Sequence, residues 1–294
     1  MKNLFSVFFT FFTFLVFSQT KTTYVYAIKG VDTLKLDVYS PDNIQLTEKK
    51  LPVLLWMHGG GFSGGSRDSK YEAQLCEVAA QKGFVGISIS YRLLRKGTST
   101  GFGCNCPKEI KQETLKQAVI DYLDAATFVV NNAEKLNIDT NYIIAGGSSA
   151  GAEGASNAVF MRDYFISDLQ SYKNVRFSGL FSCAGAILNA EYINKNNAIP
   201  SVFFHGTDDK LVPFAAAPHH YCSSEKPGYL LMDGSMEMVK KLELYETPYY
   251  FNIVKGGGHE VAGIPFGDLE EIFKFFDETI VQDKIIQTKI YQTK

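Results

Sequence analysis

The sequence predicts an α/β protein with a mostly parallel central sheet and helices on both faces. Three observations carry that prediction. Short apolar runs of strand length alternate with longer stretches whose apolar residues recur every three or four positions, glycine-rich turns follow several of the strand-like runs, and no linker or repeat divides the body of the chain. Each crossover helix must bury its apolar stripe against a sheet, and a parallel sheet covered on both faces satisfies all of them at once.

Composition supports this. The chain has 294 residues, 46% hydrophobic and 20% charged, which excludes disordered, collagen-like and disulfide-scaffold classes. Lys+Arg 29 against Asp+Glu 31 leaves a net charge of -2, and the basic doublets Lys49-Lys50 and Lys240-Lys241 are isolated, so nothing tracks a phosphate backbone and no nucleic-acid partner is expected.

Taken in order, Lys2 followed by the Phe-dense run Leu4 to Phe17 reads as a secretory signal peptide over residues 1–18. Fourteen residues at about 1.5 Å each reach about 21 Å, short of a ~30 Å hydrocarbon core, so a spanning anchor is the weaker reading and no stable membrane insertion is expected. Ser18 suits a peptidase cleavage site, which starts a single mature domain, 19–294, at Gln19 in a secreted or periplasmic setting. Thr23 to Ile28 and Thr33 to Ser40 form an opening hairpin. Pro52 to Met57 and Phe84 to Ser90 are buried parallel strands flanking a helix over Lys70 to Gln81. Pro107 opens a long helix to about Asn131, with Leu115, Val119, Tyr122, Leu123 and Ala126 on its apolar face. Tyr142 to Ala145 is a strand, followed by a sharp turn and a small-residue helix from Ala150. Phe177 to Cys183, Ser201 to Phe204 and Tyr249 to Val254 supply later strands, and Ser235 to Leu244 and Asp268 to Ile280 later helices.

Chemistry enters at Gly147-Ser148-Ser149-Ala150-Gly151. This G-x-S-x-G lies between a predicted strand and a predicted helix, the context in which a tight turn lifts a serine hydroxyl out of a sheet. Glycine, serine and alanine also cluster at ordinary helix starts, so the motif gains weight only from its companions. A serine needs a base, and the base needs an orienting carboxylate. His259, in Gly256-Gly257-Gly258-His259-Glu260, follows the last predicted strand. Asp208 and Asp209, in His205-Gly206-Thr207-Asp208-Asp209, follow the strand before it. After an early strand, His58-Gly59-Gly60-Gly61 could bring backbone N–H groups to a developing oxyanion. Gly59, Gly61 and Gly64 also fit G-x-G-x-x-G, but the next strand ends in Ser90-Tyr91-Arg92 without the acid a dinucleotide site requires.

These landmarks, with Leu36-Asp37-Val38-Tyr39-Ser40-Pro41 and His205 to Pro213, resemble an α/β-hydrolase carboxylesterase of the hormone-sensitive-lipase and bacterial feruloyl or acetyl-xylan esterase type over roughly Thr33 to Ile280. The resemblance implies an α/β-hydrolase fold, with Ser149 as nucleophile, Asp209 as acid and His259 as base. It implies an oxyanion hole from the Gly60, Gly61 and Ala150 N–H groups, with His58 bracing the glycine loop. It implies no metal and no organic cofactor, and a small-molecule or polysaccharide-linked ester as substrate. A serine peptidase or acyltransferase would share these residues, and a non-catalytic binding protein of the same fold is the rival of a different class.

Two segments depart from the family pattern: the Gly/Cys loop Thr98 to Pro107 and the insertion Phe214 to Asp233. Both follow strand ends on the ligand-binding side, so they are expected to shape the pocket, with Tyr221 and Tyr229 offering aromatic surface there. His219-His220 reads as solvated rather than metal-binding, and Glu153 as an acid in a helix's first turn. Cys76, Cys104, Cys106, Cys183 and Cys222 are odd in number, leaving at least one unpaired. A disulfide from the Cys104/Cys106 loop to Cys222 is compatible with an oxidising compartment, whereas buried, idle thiols are the default.

Overall fold

The computed structural model describes residues 20–41 and 49–294. The signal-peptide expectation for residues 1–18 lies outside the described residues. The strands are β1 (Thr20–Lys29), β2 (Asp32–Ser40), β3 (Leu51–Met57), β4 (Val85–Ile89), β5 (Ile138–Ser148), β6 (Gly179–Cys183), β7 (Ala186–Ile187), β8 (Ser201–Gly206), β9 (Ala216–Pro218), β10 (Leu231–Gly234), β11 (Tyr249–Lys255) and β12 (Gln287–Thr293). The helices are α1 (Lys70–Gln81), α2 (Lys108–Asn131), α3 (Ala133–Leu136), α4 (Ala150–Phe160), α5 (Arg162–Phe165), α6 (Ser235–Leu244) and α7 (Leu269–Phe276).

Nine strands form one sheet in the order β1-β2-β4-β3-β5-β6-β8-β11-β12. The β1/β2 hairpin is antiparallel and β2 joins β4 antiparallel, and every other neighbouring pair is parallel. The central strands read as unbroken apolar runs because both faces are covered. In β3, Val53, Leu55 and Met57 join the core that α2 supplies with Leu115, Val119 and Tyr122. Leu54 and Trp56 point the other way, into a core built from Leu75 of α1 and Phe273 and Phe276 of α7. Tyr122 ties the long helix to the sheet: its hydroxyl donates to the Leu55 carbonyl at 2.6 Å and accepts from the Gly146 N–H at 2.9 Å.

Two features escape the sequence reading. Strand β12 pairs in parallel with β11 at the sheet edge, and its alternating polar residues carry no apolar run to announce it. The insertion contributes β9 and β10, which with β7 make a separate three-stranded sheet, order β7-β10-β9, beside the carboxyl ends of the main strands. Asp233 of β10 fixes that sheet to the body by accepting from the Ala190 N–H at 2.7 Å.

Candidate active site

The turn after β5 holds Ser149 at φ 52°, ψ -123°. That left-handed conformation is rare for a residue with a side chain and costs on the order of 1–3 kcal/mol, which the packing around it must offset. The Ser149 N–H donates to the Cys183 carbonyl at 2.8 Å, tethering the turn to the end of β6. Gly151 is obligatory, because a Cβ there would stand 2.0 Å from the Met57 carbonyl oxygen of β3.

The predicted nucleophile, base and acid are brought together at the carboxyl ends of β5, β11 and β8. The Ser149 hydroxyl donates to His259 Nε2 at 2.7 Å, and His259 Nδ1–H donates to Asp209 Oδ2 at 2.7 Å. Asp209 is fully buried. Burial raises its pKa, but hydrogen bonds from His205 and His259 and from the Leu211 N–H outweigh that and hold the carboxyl below the usual carboxylate range. Its Oδ1 accepts from the Leu211 and Val212 N–H groups at 2.8 and 3.0 Å. For His259, burial disfavours the imidazolium, yet the Asp209 carboxylate beside it raises the pKa above its ordinary value. Behind Asp209 lies a residue the sequence reading left without a role. His205 is buried with Nδ1 2.8 Å from Ser235 Oγ and Nε2 3.5 Å from Asp209 Oδ2, so the acid is held between two imidazoles. Asp208 is exposed and accepts from its neighbour Thr207.

The glycine loop after β3 folds back on itself, with the Gly60 carbonyl accepting from the N–H groups of Ser63 and Gly64, both at 3.0 Å. Gly60 sits at φ 121°, and a Cβ there would meet the Gly64 carbonyl oxygen at 2.2 Å, so no other residue fits. His58 is buried under Tyr91, with ring centroids 4.5 Å apart, and its Nδ1–H donates to the Gly59 carbonyl at 2.7 Å. Burial pushes its pKa down, so the ring braces the loop as a neutral group. Gly60, Gly61 and Ala150 all line the pocket that contains Ser149 and His259, and Ala150 heads α4, where the first N–H groups have no acceptor within the helix.

That pocket encloses about 560 Å³. Both departing segments reach it: the Gly/Cys loop supplies Phe102, and the insertion supplies His219 and His220. A disulfide between Cys104 and Cys222 joins the two segments, so the default of idle thiols holds only for Cys76, Cys106 and Cys183, which are buried and free. Tyr221 and Tyr229, by contrast, are not among the pocket's lining residues. His220 and Tyr221 both adopt positive φ, 58° and 50°, and this reversal leaves Tyr221 43% exposed beneath the Lys210 ammonium. One further expectation is corrected: His219 is not solvated but only 1% exposed, and it stands 3.0 Å from Glu153, which lies in the first turn of α4 as expected and is equally buried in the pocket wall. Among the described residues no group of three or more His, Cys, Asp or Glu side chains is placed to hold a metal ion.

A mostly parallel sheet with a strained serine turn, an acid and a histidine after the carboxyl ends of β5, β8 and β11 defines an α/β hydrolase. The chain belongs to the BD-FAE family, whose model matches residues 36–187. Among solved structures, esterase 2 of Thermogutta terrifontis, phosphoramylated by tabun, superposes with a TM-score of 0.62 at 20% identity, covering 92% of this chain and 97% of that one. Among curated proteins, fumonisin B1 esterase of Sphingopyxis macrogoltabida is 33% identical over 123 residues, 41% of this chain and 22% of that protein. Secreted lipase 5 of Gibberella zeae is 27% identical over 140 residues, 46% of this chain and 25% of that protein. The chain thus spans a quarter or less of the length of these curated relatives.

Proposed function

We propose that the protein is a serine carboxylesterase, a single domain over residues 19–294 that is secreted after loss of residues 1–18. The observation that carries the reading is the continuous hydrogen-bonded chain from Ser149 through His259 to Asp209. In this mechanism Ser149 Oγ attacks the ester carbonyl as His259 Nε2 takes its proton. The tetrahedral oxyanion is received by the Gly60, Gly61 and Ala150 N–H groups. His259 then protonates the leaving alkoxide, leaving an acyl-enzyme, and next activates the water that attacks the acyl carbonyl to release the acid. Asp209 keeps the imidazole proton on Nδ1 and stabilises the imidazolium. The names of the curated relatives, an esterase and a secreted lipase, support both the chemistry and export. Acetyl or feruloyl esters of polysaccharide are the proposed substrate class, in keeping with the family resemblance and a pocket of modest volume.

A fluorophosphonate probe and a panel of p-nitrophenyl esters, with methyl ferulate and acetylated xylan, test the reading. The expected result is stoichiometric labelling at Ser149 and turnover of short esters. A folded protein that neither labels nor turns over any ester would be a binding module instead.

The pH dependence follows from the imidazole. Only neutral His259 can accept the Ser149 proton, and Asp209 raises its pKa above the ordinary 6.5. The acid limb of kcat/KM is therefore expected to have an apparent pKa above that value, with activity lost as pH falls through it. A profile between pH 4.5 and 9 on a soluble ester, with its limb at or below 6, would contradict the arrangement.

The disulfide gives a stability prediction. Its cysteines are 118 residues apart in sequence, and such a cross-link restricts the unfolded chain. Cys104→Ala with Cys222→Ala is expected to lower unfolding free energy by about 2–4 kcal/mol in urea denaturation. An unchanged midpoint would show that the bond contributes nothing to the fold.

A further inference from the structure

The chain has five histidines, and all but one have ring nitrogens committed to protein partners. His58 bonds the Gly59 carbonyl, His205 bonds Ser235 and Val212, His219 lies between Lys111 and Glu153, and His259 joins Ser149 to Asp209. His220 is the exception. It lines the pocket that holds the triad and is only partly buried, and among the described residues neither of its ring nitrogens has a hydrogen-bond partner.

The backbone holds this ring in place at a cost. His220 sits at φ 58°, ψ 17°, and Tyr221 follows at φ 50°. Two such residues in succession, neither of them glycine, persist only where their surroundings over-determine them, and strain of this kind clusters at functional sites. The surroundings do so here from several directions. The His219 N–H donates to the Leu230 carbonyl and the His220 N–H to the Leu211 carbonyl, both at 2.8 Å. The Leu211 N–H donates in turn to Asp209 Oδ1, so a single residue ties His220 to the acid of the triad. Two positions further on, Cys222 is bonded to Cys104, and the His219 ring packs against His220 with centroids 4.5 Å apart.

Burial, helped by the charges of His219 and Lys111, pushes the His220 pKa down to about 3, so near neutral pH the ring carries one N–H donor and one bare nitrogen acceptor. An uncharged ring cannot neutralise an ion drawn out of water. Among the described residues lining the pocket none is lysine or arginine, whereas Glu153 and Glu260 are there, so a carboxylate on the substrate would find no counter-charge. An ammonium would meet the same charges that depress His220. An alkyl group would satisfy neither nitrogen. A hydroxyl fits either tautomer, because it can accept from the N–H or donate to the bare nitrogen.

We infer that His220 is a specificity-determining residue that contacts substrate, hydrogen-bonding an uncharged hydroxyl on the ester and favouring such esters over alkyl or aryl esters that lack it. The inference rests on the esterase reading and adds to it a residue that reads the substrate. The hydroxyl belongs either to the acyl group, as in a hydroxycinnamate or a hydroxy acid, or to the alcohol, as in a polyol or sugar. Water can reach a partly buried nitrogen left unfilled, so the discrimination is nearer tenfold than the 10⁴-fold of a sealed polar site.

Paired esters that differ in one hydroxyl test this: methyl 4-hydroxycinnamate against methyl cinnamate and ethyl 3-hydroxybutyrate against ethyl butyrate for the acyl side, and 2-hydroxyethyl acetate against propyl acetate for the alcohol side. The readout is the ratio of kcat/KM within each pair, divided by the same ratio for alkaline hydrolysis, which removes intrinsic reactivity. That quotient is independent of the fraction of active enzyme, so partial misfolding of a variant does not move it. Wild-type enzyme is expected to favour the hydroxylated member about tenfold in at least one pair, and that pair identifies the source of the hydroxyl. His220→Phe keeps a ring and removes both nitrogens, and His220→Ala removes the ring altogether; each should bring the quotient to within about twofold of one. Quotients near one for wild type in every pair, or a preference that survives both substitutions, would overturn the role of His220 while leaving the esterase reading intact. Failure to hydrolyse any of these esters, together with no fluorophosphonate labelling, would overturn the esterase reading and the role of His220 with it.

Discussion

Ser149→Ala is expected to lower kcat by roughly 10⁴–10⁶-fold, with residual turnover supplied only by the oxyanion donors and substrate binding. The substitution keeps the Cβ, so it neither relieves nor worsens the backbone strain at φ 52°, and far-UV circular dichroism and the urea midpoint should stay close to wild type. The neighbouring serine is the control. Ser148 Oγ donates to the Ala262 carbonyl at 2.7 Å, a bond to the turn that carries His259. Its loss in Ser148→Ala should cost about 1 kcal/mol of stability and less than tenfold in kcat, because no proton moves through it. Should the two variants exchange phenotypes, the frame of the serine turn has been misread.

Much of this site is legible in the sequence because backbone constraints leave a signature in residue type. Gly60 and Gly151 are forced by close approaches of 2.2 and 2.0 Å to carbonyl oxygens, so the glycine motifs that contain them mark the loop and the turn along the chain itself. The parallel strands are equally plain, since Val53 to Met57 must bury both faces and can do so only as an apolar run. The pocket wall is different. Lys111 sits in the first turn of α2 and Glu153 in the first turn of α4, where lysine and glutamate usually face water, and no spacing along the chain reveals that they converge with His219. Three segments must first be stacked by the sheet, and two joined by the Cys104–Cys222 bond, before those charges become neighbours. Aromatic content misleads for a related reason. Tyr221 follows His220 in the left-handed region, and two such residues in succession turn a side chain outward in a way that composition does not express.

The assignment of the acid separates two adjacent aspartates. Asp209→Asn is expected to reduce kcat on the order of 10⁴-fold with the fold intact. The asparagine carbonyl can still accept from the Leu211 and Val212 N–H groups, which now reach Oδ1 at 2.8 and 3.0 Å, so the loop after β8 keeps its shape. On the other side, the amide NH₂ replaces Oδ2, the atom that His259 Nδ1–H now reaches at 2.7 Å. Donor would then face donor. The imidazole escapes by moving its proton to Nε2, and Nε2–H confronts the Ser149 hydroxyl as a donor that cannot take its proton. His205, already committed to Ser235 and 3.5 Å from Asp209 Oδ2, offers no acceptor to reverse this. Asp208→Asn should change kcat less than threefold, because that side chain is exposed and reaches only Thr207. A severe loss in Asp208→Asn, beside near-normal turnover in Asp209→Asn, would transfer the role of acid to Asp208 and break the proposed proton path at its buried end.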